Sequence, residues 1–200
     1  MKQSPAWPVA VSRETTDKLD RFLHLLLTWN RTVNLISKND EPLLRQRHLD
    51  DSLALLPVLP PAFSHAIDLG SGGGFPGLVL AIATGRPFNL VEADKRKAAF
   101  LREAARITDA PVTVHAIRAE RLTLPPAPLI TARALAPLTT LLTWAVPLLA
   151  PGGVCVFPKG RSTASELTAA ASQWHMSVEQ WPSPIDPSAK ILRLSEISRG

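Results

Sequence analysis

A chain of 200 residues with 46% hydrophobic side chains suits one domain with its own core and excludes bulk disorder. Its 22 lysines and arginines against 17 aspartates and glutamates leave a net charge of +5, which favours a polyanionic partner without demanding one. The single cysteine, Cys155, excludes an internal disulfide and sits in the apolar run Val154-Cys155-Val156-Phe157. The first eight residues lack the apolar segment of a signal peptide, and no stretch approaches the roughly 18 apolar residues of a membrane span, so a soluble, cytoplasmic protein is expected.

In chain order, Ser12 is a candidate N-cap, and Leu19, Phe22, Leu23, Leu26 and Leu27 recur at helical spacing, which predicts an amphipathic helix over 12–28. Trp29 to Ser37 ends it and leads to a second helix, opened by Asp40 and Pro42 and closed before Pro57. Pro60-Pro61 marks the seam between an N-terminal helical cap, residues 1–60, and a main domain, residues 61–200, packed as a single structural unit. Beyond it strands and helices alternate. We read strand 65–70, helix 76–84, strand 88–93, helix 95–107, strands 112–116 and 129–133, helix 137–149, strand 153–158, helix 163–174, and strands near 176–181 and 190–197. This pattern specifies an α/β fold with a mostly parallel, Rossmann-like seven-stranded sheet, and Pro182 to Pro187 would join the last two strands as an antiparallel hairpin.

The most informative segment is Ala66-Ile-Asp-Leu-Gly-Ser-Gly-Gly-Gly-Phe-Pro-Gly77. It reads as a strand, a turn whose backbone touches a ligand, and a helix opening at Pro76. Gly72-x-Gly74-x-x-Gly77 also fits the dinucleotide fingerprint, in which a pyrophosphate sits on the helix N-terminus. Asp68, two residues before Gly70, argues against that, because a carboxylate repels a diphosphate and favours a cationic nucleoside such as S-adenosylmethionine. Glu92 ends the next apolar run about 20 residues on, where an acid is expected on ribose hydroxyls. Asp68, Gly70, Gly72 and Gly74 have the spacing of motif I in class I methyltransferases, which they resemble.

A methyl transfer is an in-line displacement that mainly requires alignment of donor and acceptor. Cytosine C5 methylation needs a nucleophilic thiol, and Cys155 lies in an apolar strand. Adenine amino methylases usually carry Asn-Pro-Pro-Tyr or Asp-Pro-Pro-Tyr after the fourth strand, whereas this chain has no tyrosine and reads Thr131-Ala132-Arg133-Ala134-Leu135. Guanine N7 has a free lone pair at neutral pH and needs no base. The lack of a recognisable base suits that acceptor.

Six motifs together are more specific. Trp29-Asn30-x-x-x-Asn34-Leu35, Arg47-His48-x-x-Asp51-Ser52-Leu53, the glycine segment through Phe75-Pro76-Gly77, Glu92-x-Asp94-x-Arg96-Lys97-x-x-Phe100-Leu101, Arg118-Ala119-Glu120 and Thr131-Ala132-Arg133-Ala134 resemble, in order and spacing, the RsmG (GidB) family. That family comprises bacterial small-subunit ribosomal RNA guanine-N7 methyltransferases. The resemblance implies S-adenosylmethionine as cofactor, and 16S rRNA or an assembling small subunit as partner. No metal, no membrane and no DNA are expected, and a monomer is the expectation for an oligomeric state that the sequence itself does not fix. By resemblance Gly70, Phe75, Ala119, Glu120 and Arg133 line the cofactor pocket with Glu92 on the ribose, and Arg118, Arg133, His48 and Asp51 face the guanine. The basic residues Arg47, Arg96, Lys97 and Lys159 are candidates for RNA phosphates. A methyltransferase for a small molecule or protein, or a non-catalytic RNA-binding protein with a sensing pocket, are the rival readings.

Overall fold

The computed structural model describes residues 8–200, so residues 1–7 of the expected cap lie outside the described residues. Helix α1 (Arg13–Asn30) starts where the sequence places it, with the Ser12 hydroxyl accepting the Thr15 amide at 3.1 Å. Leu19, Phe22 and Leu26 form its buried stripe.

The second predicted helix is broken into short turns. A 3-10 turn (Lys38–Leu43) leads to a π turn (Arg45–Asp50), the short α2 (Asp51–Leu53) and a further 3-10 turn (Leu56–Val58). Pro42 has no N–H to continue an α ladder. Leu44 and Leu49 are both buried although five residues apart, a spacing that only the wider turn brings to one side. This segment carries Arg47 and His48 to the sheet.

The sheet has seven strands, mostly parallel with a terminal antiparallel hairpin as the sequence predicts, in the order β3-β2-β1-β4-β5-β7-β6 with only β7 antiparallel to its neighbours. They are β1 (Ala66–Leu69), β2 (Phe88–Val91), β3 (Val112–His115), β4 (Ala127–Ala132), β5 (Leu149–Lys159), β6 (Trp174–Pro182) and β7 (Lys190–Arg199). Helices α3 (Gly77–Thr84), α4 (Lys95–Thr108), α5 (Leu138–Ala145) and α6 (Thr163–Ala171) cover it. Helix α5 is shorter than predicted, because Pro147 turns the chain through a 3-10 turn, and β5 starts at Leu149. Two apolar clusters fill the faces. The first joins α1 and the cap to α3 and α4, and the second joins α5 and α6 to the other face.

Strands β1 and β4 pair in parallel, Leu69 beside Ala132, while their connections leave in opposite directions. A crevice outside their carboxyl ends is where an open α/β sheet binds ligands. The glycine turn and Arg133 stand at that point.

Candidate active site: two cavities with a common wall

The first cavity, about 590 Å³, lies over the glycine turn. Its floor is Gly70 to Gly73 with Phe75, its sides are Glu92, Lys97 and the Ile117 to Glu120 stretch, and its lid is Leu35 and Ile36. The size is that of a small-ligand pocket. Gly70 has a φ of +69°, and a Cβ on it would lie 2.6 Å from Leu135 Cδ1, so only glycine fits. Glu92 braces the turn: one carboxylate oxygen accepts the Gly72 amide at 2.9 Å and the other the Asp94 amide at 2.8 Å.

The second cavity, about 750 Å³, shares His48, Arg133, Ala134 and Leu135 with the first. Arg133 organises this wall. It donates to His48 Nδ1 at 2.7 Å, to Asp51 Oδ2 at 3.4 Å and to the Arg47 carbonyl at 3.3 Å. Its guanidinium lies 5.3 Å over the Phe75 ring, on which His48 stacks at 5.1 Å.

Arginine has no acceptor, so His48 Nδ1 holds the lone pair and Nε2 the proton, which faces Asp40 Oδ2 at 3.6 Å. Burial, then the Arg133 charge, pushes the His48 value down to about 4. His48 is therefore neutral at pH 7. Burial raises Asp51 above the usual carboxylate range and Arg133 opposes the rise. Ala134 has a φ of +52°, which strains a residue with a side chain, and this strain falls in the common wall.

His48, Asp51 and Arg133 thus meet at the common wall, and Arg118 lines the first cavity with His48 and Arg133, its side chain 69% exposed. Ala119 and Glu120 also line the first cavity. Asp68 departs from expectation. It is fully buried beneath the turn, accepting from the Thr131 hydroxyl at 2.6 Å, and burial pushes its value up to about 6. A Cβ on Gly77 would lie 2.5 Å from its carboxylate, so Asp68 supports the start of α3 instead of facing a ligand. Gly74 similarly packs against Phe22 and Leu78.

Arg47 and Arg96 are exposed, and Lys97 is half-buried on the first cavity's edge. Lys159 corrects the phosphate reading: its ammonium is held by Glu166 at 2.7 Å and the Ala136 carbonyl at 2.9 Å, with 9% of the side chain exposed. Sequence reasoning missed the lid, Trp144, Asp40 and the hairpin residues Ile185 to Ala189. One signal for the lid was present. Asn30 accepts the Leu35 and Ile36 amides at 2.9 and 3.0 Å, which explains Asn30 in its motif.

Solved structures with this fold include an O-methyltransferase from Bacillus cereus in complex with SAH and a putative O-methyltransferase from Klebsiella pneumoniae. They superpose with TM-scores of 0.57 and 0.59, at 16% and 15% identity, covering 88% and 96% of this chain and 91% of each of theirs. Among sequence relatives, the Ribosomal RNA small subunit methyltransferase G of Granulibacter bethesdensis is 59% identical over 94% of this chain and 89% of its own length. That of Gluconobacter oxydans is 53% identical over 94% of this chain and 97% of its own. With residues 15–185 also matching the model of that family, the chain belongs to the GidB family, described as rRNA small subunit methyltransferase G.

Proposed function

We propose that this protein transfers the methyl group of S-adenosylmethionine to N7 of a guanosine in 16S small-subunit ribosomal RNA, in the cytoplasm. The observation that carries this reading is the common wall: a nucleoside-sized cavity on a methyltransferase glycine turn shares His48, Arg133, Ala134 and Leu135 with a second cavity.

The cofactor supplies a methyl group on a sulfonium, which needs only an aligned lone pair. Guanine N7 offers one without losing a proton, so the chain's task is alignment. His48 fits this role because its one lone pair already accepts from Arg133. It positions Arg133 and takes no proton. Asp40 and Asp51 set negative charge beside a base that gains positive charge on methylation. Leu43 and Leu135, 46% and 37% exposed, give the second cavity apolar surface for the faces of a planar base. Arg47 on the second cavity, Lys97 on the first and the exposed Arg96 are the candidates for RNA phosphates.

Label transfer from methyl-tritiated S-adenosylmethionine tests the proposal. Counts should enter small-subunit rRNA and not free nucleosides or protein, and replacing the target guanosine by 7-deazaguanosine should abolish transfer while RNA still binds. Methylation of the deaza substrate would exclude N7 as acceptor.

A further inference from the structure

Ala134 and Leu135 of the common wall sit between two anchors. Ala134 has a φ of +52°, and a residue with a side chain keeps such a conformation only where its surroundings hold it. Leu135 lines both cavities and lies against Gly70. On the N-terminal side Arg133 is the anchor, tied to the cap through His48, Asp51 and the Arg47 carbonyl.

On the C-terminal side the anchor is an ion pair. Lys159, at the end of β5, donates to the Ala136 carbonyl at 2.9 Å and to Glu166 Oε2 at 2.7 Å. That same Oε2 accepts the Leu138 amide at 2.8 Å, while Oε1 accepts the Ser162 hydroxyl at 2.6 Å. Helix α5 has no side-chain cap of its own, so Glu166, from α6, satisfies its first amide. The two side chains are 9% and 18% exposed. An ion pair so placed contributes little net stability against apolar groups of the same volume. What this one supplies is geometry: it fixes the chain on either side of Pro137, one residue beyond Leu135.

We propose that Lys159 and Glu166 are positioning residues for methyl transfer. Their pair holds the Ala134–Ala136 loop, and through it Leu135 at the boundary between the cavities, without acting on the reacting atoms. This rests on the methyl-transfer reading above, in which donor and acceptor meet at that boundary. Alignment there is what the reaction requires, and a displacement of about 1 Å costs on the order of 100-fold in rate.

The test measures kcat, KM for RNA, cofactor affinity and Tm, together with the nuclear Overhauser effect between the Leu135 methyls and Gly70. Lys159→Met keeps most of the buried stem and removes the donor, and Glu166→Ala removes the acceptor. Each should lower kcat by about 10–100-fold. KM and cofactor affinity should change far less, because Glu92 and the glycine turn are untouched, and the Leu135 to Gly70 signal should weaken. Glu166→Gln separates geometry from stability. Its amide oxygen can still accept from Lys159 and Leu138 and its NH2 can donate to Ser162, but Lys159 loses its counter-charge, so Tm should fall while most of kcat is recovered. Wild-type kcat in Lys159→Met and Glu166→Ala, a loss in Glu166→Gln as large as in Glu166→Ala, or an unchanged Leu135 signal beside a reduced kcat each overturns the positioning role while the methyl-transfer reading stands. If wild type transfers no methyl group to small-subunit rRNA, that reading falls and this inference with it.

Discussion

Because Arg133 offers only donors, each group around it must accept, and this settles protonation at the common wall. His48 is held neutral with a value near 4 against an ordinary 6.5, so between those pH values the unfolded chain binds more protons than the folded one. The stability that His48 contributes is complete above pH 6.5 and is lost as pH falls toward 4. Asp68 runs the other way. Its value is raised from 3.8 to about 6, so its contribution is greatest below 3.8 and is lost as pH rises through 6. His48→Asn removes the first effect and leaves the second. The stability difference between wild type and this variant should therefore be constant above pH 6.5 and shrink toward pH 4 in urea titrations, and a difference independent of pH would mean that His48 is not held neutral. Gly77 tests the support beneath the turn. A methyl group 2.5 Å from the Asp68 carboxylate has no room, so Gly77→Ala should lose about 1–3 kcal/mol of stability, the range for overpacking. Adding Asp68→Ala should restore part of that loss by thermal melts, and purely additive losses would place the strain elsewhere.

At the scale of the elements, the turn after β1 and the end of β2 act as one device because Glu92 holds the amides of Gly72 and Asp94 together. Glu92→Ala removes both of these braces and, on the ribose reading, one charge-assisted contact to the cofactor worth about 1.5–3 kcal/mol, so cofactor affinity should fall roughly tenfold to 150-fold in calorimetry. Glu92→Gln, which keeps one acceptor, should lose less, and unchanged affinity in the alanine variant would remove Glu92 from the site. This device was legible because its chemistry is local: glycines with positive φ and an acid at a strand end write themselves into spacing. Helix α1 was legible for a similar reason, since its apolar residues repeat at helical spacing. The segment from Lys38 to Val58 was not. Its turns are set by Pro42 and by the need to bury Leu44 and Leu49 together, a tertiary demand that no helical period encodes. The loop from Ser183 to Ala189 was silent too, because it reaches the second cavity only through the strand order that brings β6 and β7 beside β5.

For the molecule as a whole, Pro60-Pro61 reads as a seam, yet core and site both cross it. Phe22 of α1 packs 5.4 Å from Phe75 after β1 and 6.2 Å from Phe100 of α4, and Arg21 donates to the Ile107 carbonyl at 3.0 Å. The common wall is assembled likewise, with His48 and Asp51 from the cap and Arg133 from the end of β4. Motifs named these side chains, but their mutual contacts needed the folded chain: Arg118 lines the first cavity with His48 and Arg133, while Asp51 lines only the second. A shared core of this kind implies one cooperative unit. Under rising denaturant, amides of α1 and of β1 and β4 should lose exchange protection at the same midpoint. Phe22→Ala should lower that midpoint for both sets together, by an amount equivalent to about 3–5 kcal/mol, a large part of the 5–15 kcal/mol that holds a typical domain. The opposite outcome is specific. If α1 exchanges early while β1 and β4 stay protected, the cap folds as an appendage, and cofactor binding should then survive conditions in which the His48 to Arg133 contact, and with it methyl transfer, is already lost.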